Sequence, residues 1–164
     1  LYEYYQTAGN KNVYIEMVGP DGDGSLKEWQ DLTERLKLQD YVSFHGAKFG
    51  SELSDMFNQC DIACDSLGCY VKNFNACSSL KIREYTARGI PFILTINDNL
   101  IDESLPFWKR FEDNSNNIDM KSVIDFVEET RKISNLPQKM NDYAKENMTW
   151  ERQLQILFDK LNSL

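Results

Sequence analysis

The chain is poor in the residues that build several common kinds of site. It has one histidine, His45, and four cysteines, at positions 60, 64, 69 and 77. No two cysteines form a Cys-x-x-Cys pair, so the tightly spaced four-ligand set of a structural zinc site is missing and no metal is expected. The thiols read as reduced structural or loop cysteines rather than a disulfide framework, and that usage points to a cytoplasmic protein. No apolar run approaches the roughly 20 residues that span a bilayer. No signal peptide is read in the opening Leu1-Tyr2-Glu3-Tyr4-Tyr5; a start without methionine is instead expected of a fragment of a longer chain. Basic residues are outnumbered, 18 Lys and Arg against 26 Asp and Glu, for a net charge of −8. An acidic surface repels phosphate backbones, so nucleic acid is not an expected partner. A nucleotide is a smaller demand, because a few backbone N–H groups and one or two cations hold it whatever the net charge.

What is present is a foldable chain. Its 164 residues, 41% hydrophobic and 12% aromatic, are enough for one domain over 1–164 with a real core. Two kinds of segment alternate. Val13-Tyr14-Ile15-Glu16-Met17-Val18 is a short β-branched run stopped by Gly19-Pro20, which predicts a buried strand. Leu26, Trp29, Leu32 and Leu36 then fall at helical spacing behind Ser25, a candidate N-cap. Val42-Ser43-Phe44 predicts a second strand. Ser51 heads a helix with Leu53, Met56, Phe57 and Cys60 inward, and residues 61–64 predict a third strand. A helix over Ser79 to Arg88 ends at Gly89, and residues 91–96 predict a fourth strand. Three helices are expected to follow: Met120 to Ile133 with Val123, Phe126 and Val127 inward, Leu136 to Glu146, and one from Trp150 with Trp150, Leu154, Leu157, Phe158 and Leu161 as one stripe, which either packs on its own domain or is partly bare and drives self-association. Strand and helix in alternation mean βαβ crossovers, hence an α/β fold with a Rossmann-like parallel sheet and helices on both faces. In such a sheet ligands sit beyond the carboxyl ends of the strands, which places residues 19–25, 45–49, 66–79 and 96–102 on the functional rim.

Two rim segments carry candidate chemistry. Gly19-Pro20-Asp21-Gly22-Asp23-Gly24-Ser25 invites a calcium reading, but the loop position that requires glycine is Leu26 and the one that requires glutamate is Leu32. It is expected to be a tight strand-to-helix turn. The stretch from Ser78 to Pro91 joins a small polar loop to a helix N-terminus. First-turn N–H groups lack helical partners and carry partial positive charge, which makes an anion site. Lys81 adds charge there, and Glu84, one turn on, is near enough to accept hydrogen bonds from paired sugar hydroxyls. Spacing alone also fits an amphipathic helix with a solvated Lys-Arg-Glu face. His45 is expected as a rim or backbone contact rather than a catalytic base. Asp65 is expected to cap a turn with Ser66 rather than to act as a catalytic carboxylate, and Trp150 is expected to pack.

The segments "MVGPDGDG", "LKLQDYVSFHG", "SELSDMFNQCDIACDS", "SSLKIREYTARGIPFI" and "YAKENMTWERQLQILFDKL" occur in an order and spacing that resemble family 4-like glycosyltransferases, over most of residues 13–162. That resemblance implies the C-terminal, donor-binding domain of a GT-B fold, in which a nucleotide sugar binds between two Rossmann-like domains. It implies that Ser78, Ser79, Leu80 and Lys81 meet the donor diphosphate, that Glu84 binds the nucleotide ribose, and that His45 and Gly46 lie against the nucleotide. Ala76 and Cys77 fall in the donor-sugar region. The sequence departs from the family there, since Ala76 stands where many members have a second glutamate, eight positions before Glu84. The family's strand bearing an arginine and a lysine for the diphosphate should precede Leu1 and lie between the Val13 and Asp61 strands.

The implied activity is transfer of a hexose, with retention, from a nucleotide-diphosphate sugar to a glycan or lipid-linked acceptor in cell-surface polysaccharide synthesis. No metal or other cofactor is implied, because protein groups take the leaving diphosphate's charge. The acceptor would be held by an absent N-terminal domain, so the isolated fragment is expected to be inactive and no catalytic residue is assigned on it. The full-length protein would work in the cytoplasm or peripherally at the inner face of the cell membrane. The loss at Ala76 leaves two alternatives: a non-catalytic nucleotide-sugar-binding domain, or half of a nucleotide-sugar epimerase.

Overall fold

A computed structural model of the chain describes residues 1–7, 13–74, 76–114 and 116–163. The chain forms two compact units, Leu1–Gln59 and Cys60–Leu164. Every pairing between strands is parallel, as the alternation of elements required.

The first unit holds helix α1 (Tyr2–Gln6), strand β1 (Ile15–Met17), helix α2 (Leu26–Arg35), strand β2 (Val42–Phe44) and helix α3 (Gly50–Asn58). β1 pairs with β2 in register Ile15 to Val42. Tyr5 stacks on Tyr41 with ring centroids 4.2 Å apart, and its hydroxyl and the Val13 backbone exchange hydrogen bonds of 3.0 and 2.8 Å. The turn before α2 is built by its aspartates. Asp23 Oδ1 accepts from Ser25 N (3.1 Å) and Ser25 Oγ (2.6 Å), and Asp21 Oδ1 accepts from Leu26 N (3.2 Å). Ser25 therefore does not cap α2 with its own side chain. α3 begins at Gly50 with Phe49, not Ser51, at its N-cap. The β-branched run of β1 is open to solvent rather than buried: Tyr14, Ile15, Met17 and Val18 are all exposed. Among the described residues only one edge of β1 is paired, and α2 presents no buried residue to cover a face.

The second unit holds strand β3 (Ala63–Cys64), a short turn of 3-10 helix (Cys69–Lys72), helix α4 (Leu80–Arg88), strands β4 (Phe92–Leu94) and β5 (Trp108–Arg110), and helices α5 (Met120–Thr130), α6 (Leu136–Asn147) and α7 (Trp150–Asn162). Its sheet has the order β3-β4-β5, with β4 central and β5 a strand that the sequence pattern did not single out. The described strands thus make two sheets rather than one, β1-β2 in the first unit and β3-β4-β5 in the second.

β4 explains why this unit is the better packed. Its residues alternate between the two faces of the sheet. Phe92 and Leu94 are fully buried, and Phe92 meets Tyr85 of α4 and Trp108 of β5. Ile93 packs with Val123 and Phe126 of α5. The central strand is therefore covered on both sides, as a continuous apolar run demands. α4 packs on α6, with Ile82, Thr86 and Met140 wholly buried. α4 stops at Gly89, whose left-handed φ of 74° forms the expected C-cap.

On α7 the stripe takes the bare alternative, against the expectation that Trp150 packs. Trp150 is 77% exposed, and Leu154, Leu157, Phe158 and Leu161 are exposed with it. The helical period correctly gathers them on one stripe, and among the described residues of the unit nothing covers that stripe. Thr149 caps the helix, accepting from Arg152 N at 3.2 Å.

Candidate functional site

In the second unit the carboxyl ends of β3 and β4 run into Asp65-Ser66 and Thr95-Ile96-Asn97-Asp98, and the N-terminus of α4 starts beside them. The loop entering α4 is anchored by its backbone. Ala76 bridges Asn97 in parallel, and Cys77 N donates to Asn97 O at 2.9 Å. Ala76, Cys77 and Ser78 are exposed there, and Leu80 presents its side chain to solvent at 75% exposure. Of the donor-sugar and diphosphate candidates, Ala76, Cys77, Ser78, Leu80 and Lys81 are thus exposed at a helix N-terminus, and Ser79 among them is buried.

Beneath that surface lies a buried polar network. Ser79 is the N-cap residue, in extended conformation, yet its side chain makes no capping bond. Its Oγ donates instead to Asp65 Oδ1 at 2.7 Å. Its N–H donates to Asp98 Oδ2 at 3.2 Å. Its carbonyl accepts from Arg83 Nη1 at 2.5 Å. Arg83 also reaches Asp98 Oδ2 at 3.0 Å and donates to Ser78 Oγ at 2.5 Å. Lys81 Nζ lies 3.5 Å from Asp65 Oδ1 and donates to Ser66 Oγ at 3.2 Å. The side chains of Asp65 and Asp98 are 0% and 1% exposed. The expected turn between Asp65 and Ser66 is replaced by this longer reach to Ser79.

Glu84 sits one turn further on with a side chain 42% exposed. Its Oε1 accepts from Arg88 Nε and Nη2, both at 3.0 Å. It also borders a groove of about 330 Å³ between α4 and the end of α6, shared with Arg83, Ala87, Asn141 and Lys145. The carboxylate is open to solvent along this groove, whose lining also includes Ala144 and Met148.

His45 and Gly46 belong to the first unit, just past β2. His45 N donates to Met17 O at 2.9 Å, and its Nε2 makes a short contact with Glu16 Oε2. Gly46 has φ of +64° and accepts from Gly19 N at 2.9 Å. The pair joins the carboxyl ends of β1 and β2 through backbone and leaves the imidazole on an exposed rim. Among the described residues no cluster of three or more His, Cys, Asp or Glu side chains is arranged to hold a metal ion.

Sequence reasoning did not single out Arg83 and Asp98. The available signals were slight. Arg83 follows Ser79 by four residues, so it lies over the same face of α4, and Asp98 follows the most apolar strand at its rim end. Burial pushes the Tyr85 hydroxyl well above its ordinary range; it donates to Cys64 O at 3.1 Å and ties α4 to the end of β3.

No protein-family model matches the chain, and no curated protein does. Solved structures do resemble it. A glycosyltransferase from Rickettsia africae superimposes with a TM-score of 0.70 at 17% identity, over 97% of this chain and 42% of that one. HepE from Anabaena in complex with UDP gives 0.66 at 17% identity, over 93% and 41%. The same protein in complex with UDP-glucose gives 0.64 at 18% identity, over 100% and 44%. The chain thus spans less than half the length of these neighbours, and it shares with them a Rossmann-like α/β fold of parallel strands flanked by helices.

Proposed function

We propose that the chain is the donor-binding domain, over 1–164, of a GT-B glycosyltransferase, family 4-like, and that it binds a nucleotide-diphosphate sugar. The observation that carries this reading is the open N-terminus of α4. Its first amides have no side-chain cap, the loop before it is exposed, and Lys81 and Arg83 stand beside it. Amides without helical partners bind phosphate oxygens. The resemblance of the fold to proteins solved with UDP and UDP-glucose supports a diphosphate as that anion.

In this reading the segment Ser78, Ser79, Leu80 and Lys81 meets the diphosphate, Ser79 by heading α4 rather than through its own polar groups, which are engaged within the protein, and Glu84 accepts from the ribose hydroxyls. His45 and Gly46 contact the nucleotide, and Ala76 and Cys77 face the sugar. The whole enzyme would transfer a hexose with retention to a glycan or lipid-linked acceptor held by another domain, in polysaccharide synthesis at the cytoplasmic face of the membrane. Charge on the leaving diphosphate would be met by amides and cations of the protein, without a metal.

One observation favours a second reading. Ala76 offers only a methyl group to the sugar region and is held there by its bridge to Asn97. A domain that binds nucleotide sugar without transferring it fits that feature. Calorimetry with UDP, GDP, ADP and their glucose conjugates tests the proposal. One of the diphosphates should bind, and its sugar conjugate at least as tightly. No binding of any of them would remove the donor site.

A further inference from the structure

Ser79 is placed to cap α4 and does not. A serine N-cap ordinarily accepts from the second or third amide of its helix. Asp119 and Thr149 do this for α5 and α7. Here every polar group of Ser79 is taken from outside: the hydroxyl by Asp65, the N–H by Asp98 and the carbonyl by Arg83. The arrangement is costly in itself. Asp65 is fully buried, and its Oδ2 has no hydrogen-bond partner among the described residues. Burying a carboxylate with an unsatisfied oxygen is unfavourable, and so is forgoing a cap. A fold that accepts both at one point gains something other than stability there.

We infer that Asp65 is a positioning residue that holds the Ser79 hydroxyl away from its own helix and so keeps the first-turn amides of α4 open for a diphosphate. The inference rests on the diphosphate reading of the site. Asp65 acts through Ser79 and does not touch the ligand. Its charge makes the inference sharp. A carboxylate beside an anion site repels the anion, so on Coulomb grounds alone its removal should tighten diphosphate binding. Positioning demands the opposite. With Asp65 gone, Ser79 Oγ is free to turn onto the amides of Lys81 or Ile82 and close the site.

The test compares Asp65→Leu, Asp65→Asn and the double variant Asp65→Leu/Ser79→Ala with the wild type. Each is checked for native circular dichroism. The probes are UDP, inorganic pyrophosphate and uridine. Asp65→Leu should weaken UDP and pyrophosphate about tenfold and leave uridine unaltered. Asp65→Asn keeps an acceptor for the hydroxyl and should bind at least as tightly as wild type. The double variant has no hydroxyl to cap with and should recover the lost affinity. The mechanism also predicts a change that needs no ligand: the amides of Lys81 and Ile82 should exchange with solvent more slowly in Asp65→Leu than in wild type. If the wild type binds neither UDP nor pyrophosphate, the diphosphate reading fails and this role falls with it. If the wild type binds, but Asp65→Leu binds as well, or the double variant stays as weak as Asp65→Leu, the positioning role alone fails. Unchanged amide exchange in Asp65→Leu overturns it independently.

Discussion

Gly89 and Pro137 approach so closely that a Cβ on Gly89 would lie 2.4 Å from the Pro137 Cα and 2.7 Å from its carbonyl oxygen. The contact joins the end of α4 to the first turn of α6, and Gly89 is also in the left-handed region with φ of 74°. An L-residue there costs about 1–2 kcal/mol in backbone conformation, and wedging α4 from α6 adds about 1–3 kcal/mol. Gly89→Ala should therefore lower stability by more than about 2 kcal/mol. Urea unfolding measures it, and a loss under 0.5 kcal/mol, about what an ordinary surface change gives, would contradict the packing described.

The Arg83–Asp98 pair supports a second stability prediction. Both groups are largely or wholly buried, at 19% and 1% exposure. Asp98 also accepts from Leu100 N at 2.9 Å, so it ties α4 to the segment after β4. Removing one partner of a buried pair leaves an uncompensated charge and costs about 3–5 kcal/mol. Arg83→Met should destabilise by about that much, whereas Arg131→Met, which breaks an exposed pair with Asp61, should cost less than about 1 kcal/mol. Equal effects in chemical denaturation would show that burial does not govern these pairs.

Such pairs show why the sequence reveals some of the molecule and not the rest. Strands β2, β3 and β4 and helices α2 to α6 follow from local runs and periods, and parallel pairing follows from their alternation. β5 did not show, because Trp108-Lys109-Arg110 has two charged residues in three and no β-branched residue. The α7 stripe was legible as a stripe, but periodicity says which residues share a face and not what covers that face. At the site, the helix N-terminus was visible in Ser78-Ser79-Leu80-Lys81. Its clamp was not, because Asp65 and Asp98 lie 14 and 19 positions from Ser79 and only the folded sheet brings them to it.

The bare stripe of α7 should be sticky. Five large apolar side chains from Trp150 to Leu161 are exposed on one helix, and contiguous apolar surface of this kind drives association or dye binding. The chain should bind anilinonaphthalene sulfonate while fully folded and should self-associate in light scattering as concentration rises. Leu157→Asp with Phe158→Asp should abolish both without lowering Tm, because neither side chain is buried in the fold. A strictly monomeric, dye-silent wild type would mean that the stripe is covered in solution.

Tyr85 predicts the alkaline limit of stability. Burial raises its hydroxyl above the ordinary value of 10.0 in the folded chain. The unfolded chain then loses this proton first as pH rises. The associated stability is fully present below pH 10, and it is lost as pH climbs from there towards the folded value. Tyr5 and Tyr143 shift in the same direction, chiefly from burial. Thermal melts between pH 9 and about 11.5 should show a falling Tm that is shallower in Tyr85→Phe, which has nothing to ionise at that position. At pH 7 the variant should be less stable by about 1 kcal/mol, for the lost hydrogen bond to Cys64 O.

Glu84 gives the prediction that bears most directly on function. Its carboxylate is half open to solvent and borders the groove between α4 and α6. It pairs with Arg88, four residues on. Exposed pairs of that spacing contribute only about 0.3–0.5 kcal/mol, so Glu84→Gln should leave the folded chain as stable as before. Its effect on binding should be larger. Charge-assisted hydrogen bonds to ribose hydroxyls contribute about 1.5–3 kcal/mol each, so the substitution should weaken nucleotide binding about tenfold or more. Lys81→Ala should act on a different part of the ligand, weakening diphosphates more than nucleosides. Ala76→Glu should not restore the affinity that Glu84→Gln removes, because position 76 faces the sugar in this reading. The separation of stability from affinity makes the experiment decisive. A solvated helix residue would change neither, a structural residue would change both, and a ribose ligand changes affinity alone. Calorimetry with the preferred nucleotide, run beside urea unfolding on wild type and Glu84→Gln, measures the two quantities. Equal nucleotide affinities would remove Glu84 from the site and leave the nucleotide reading to the open end of α4 and the likeness of fold.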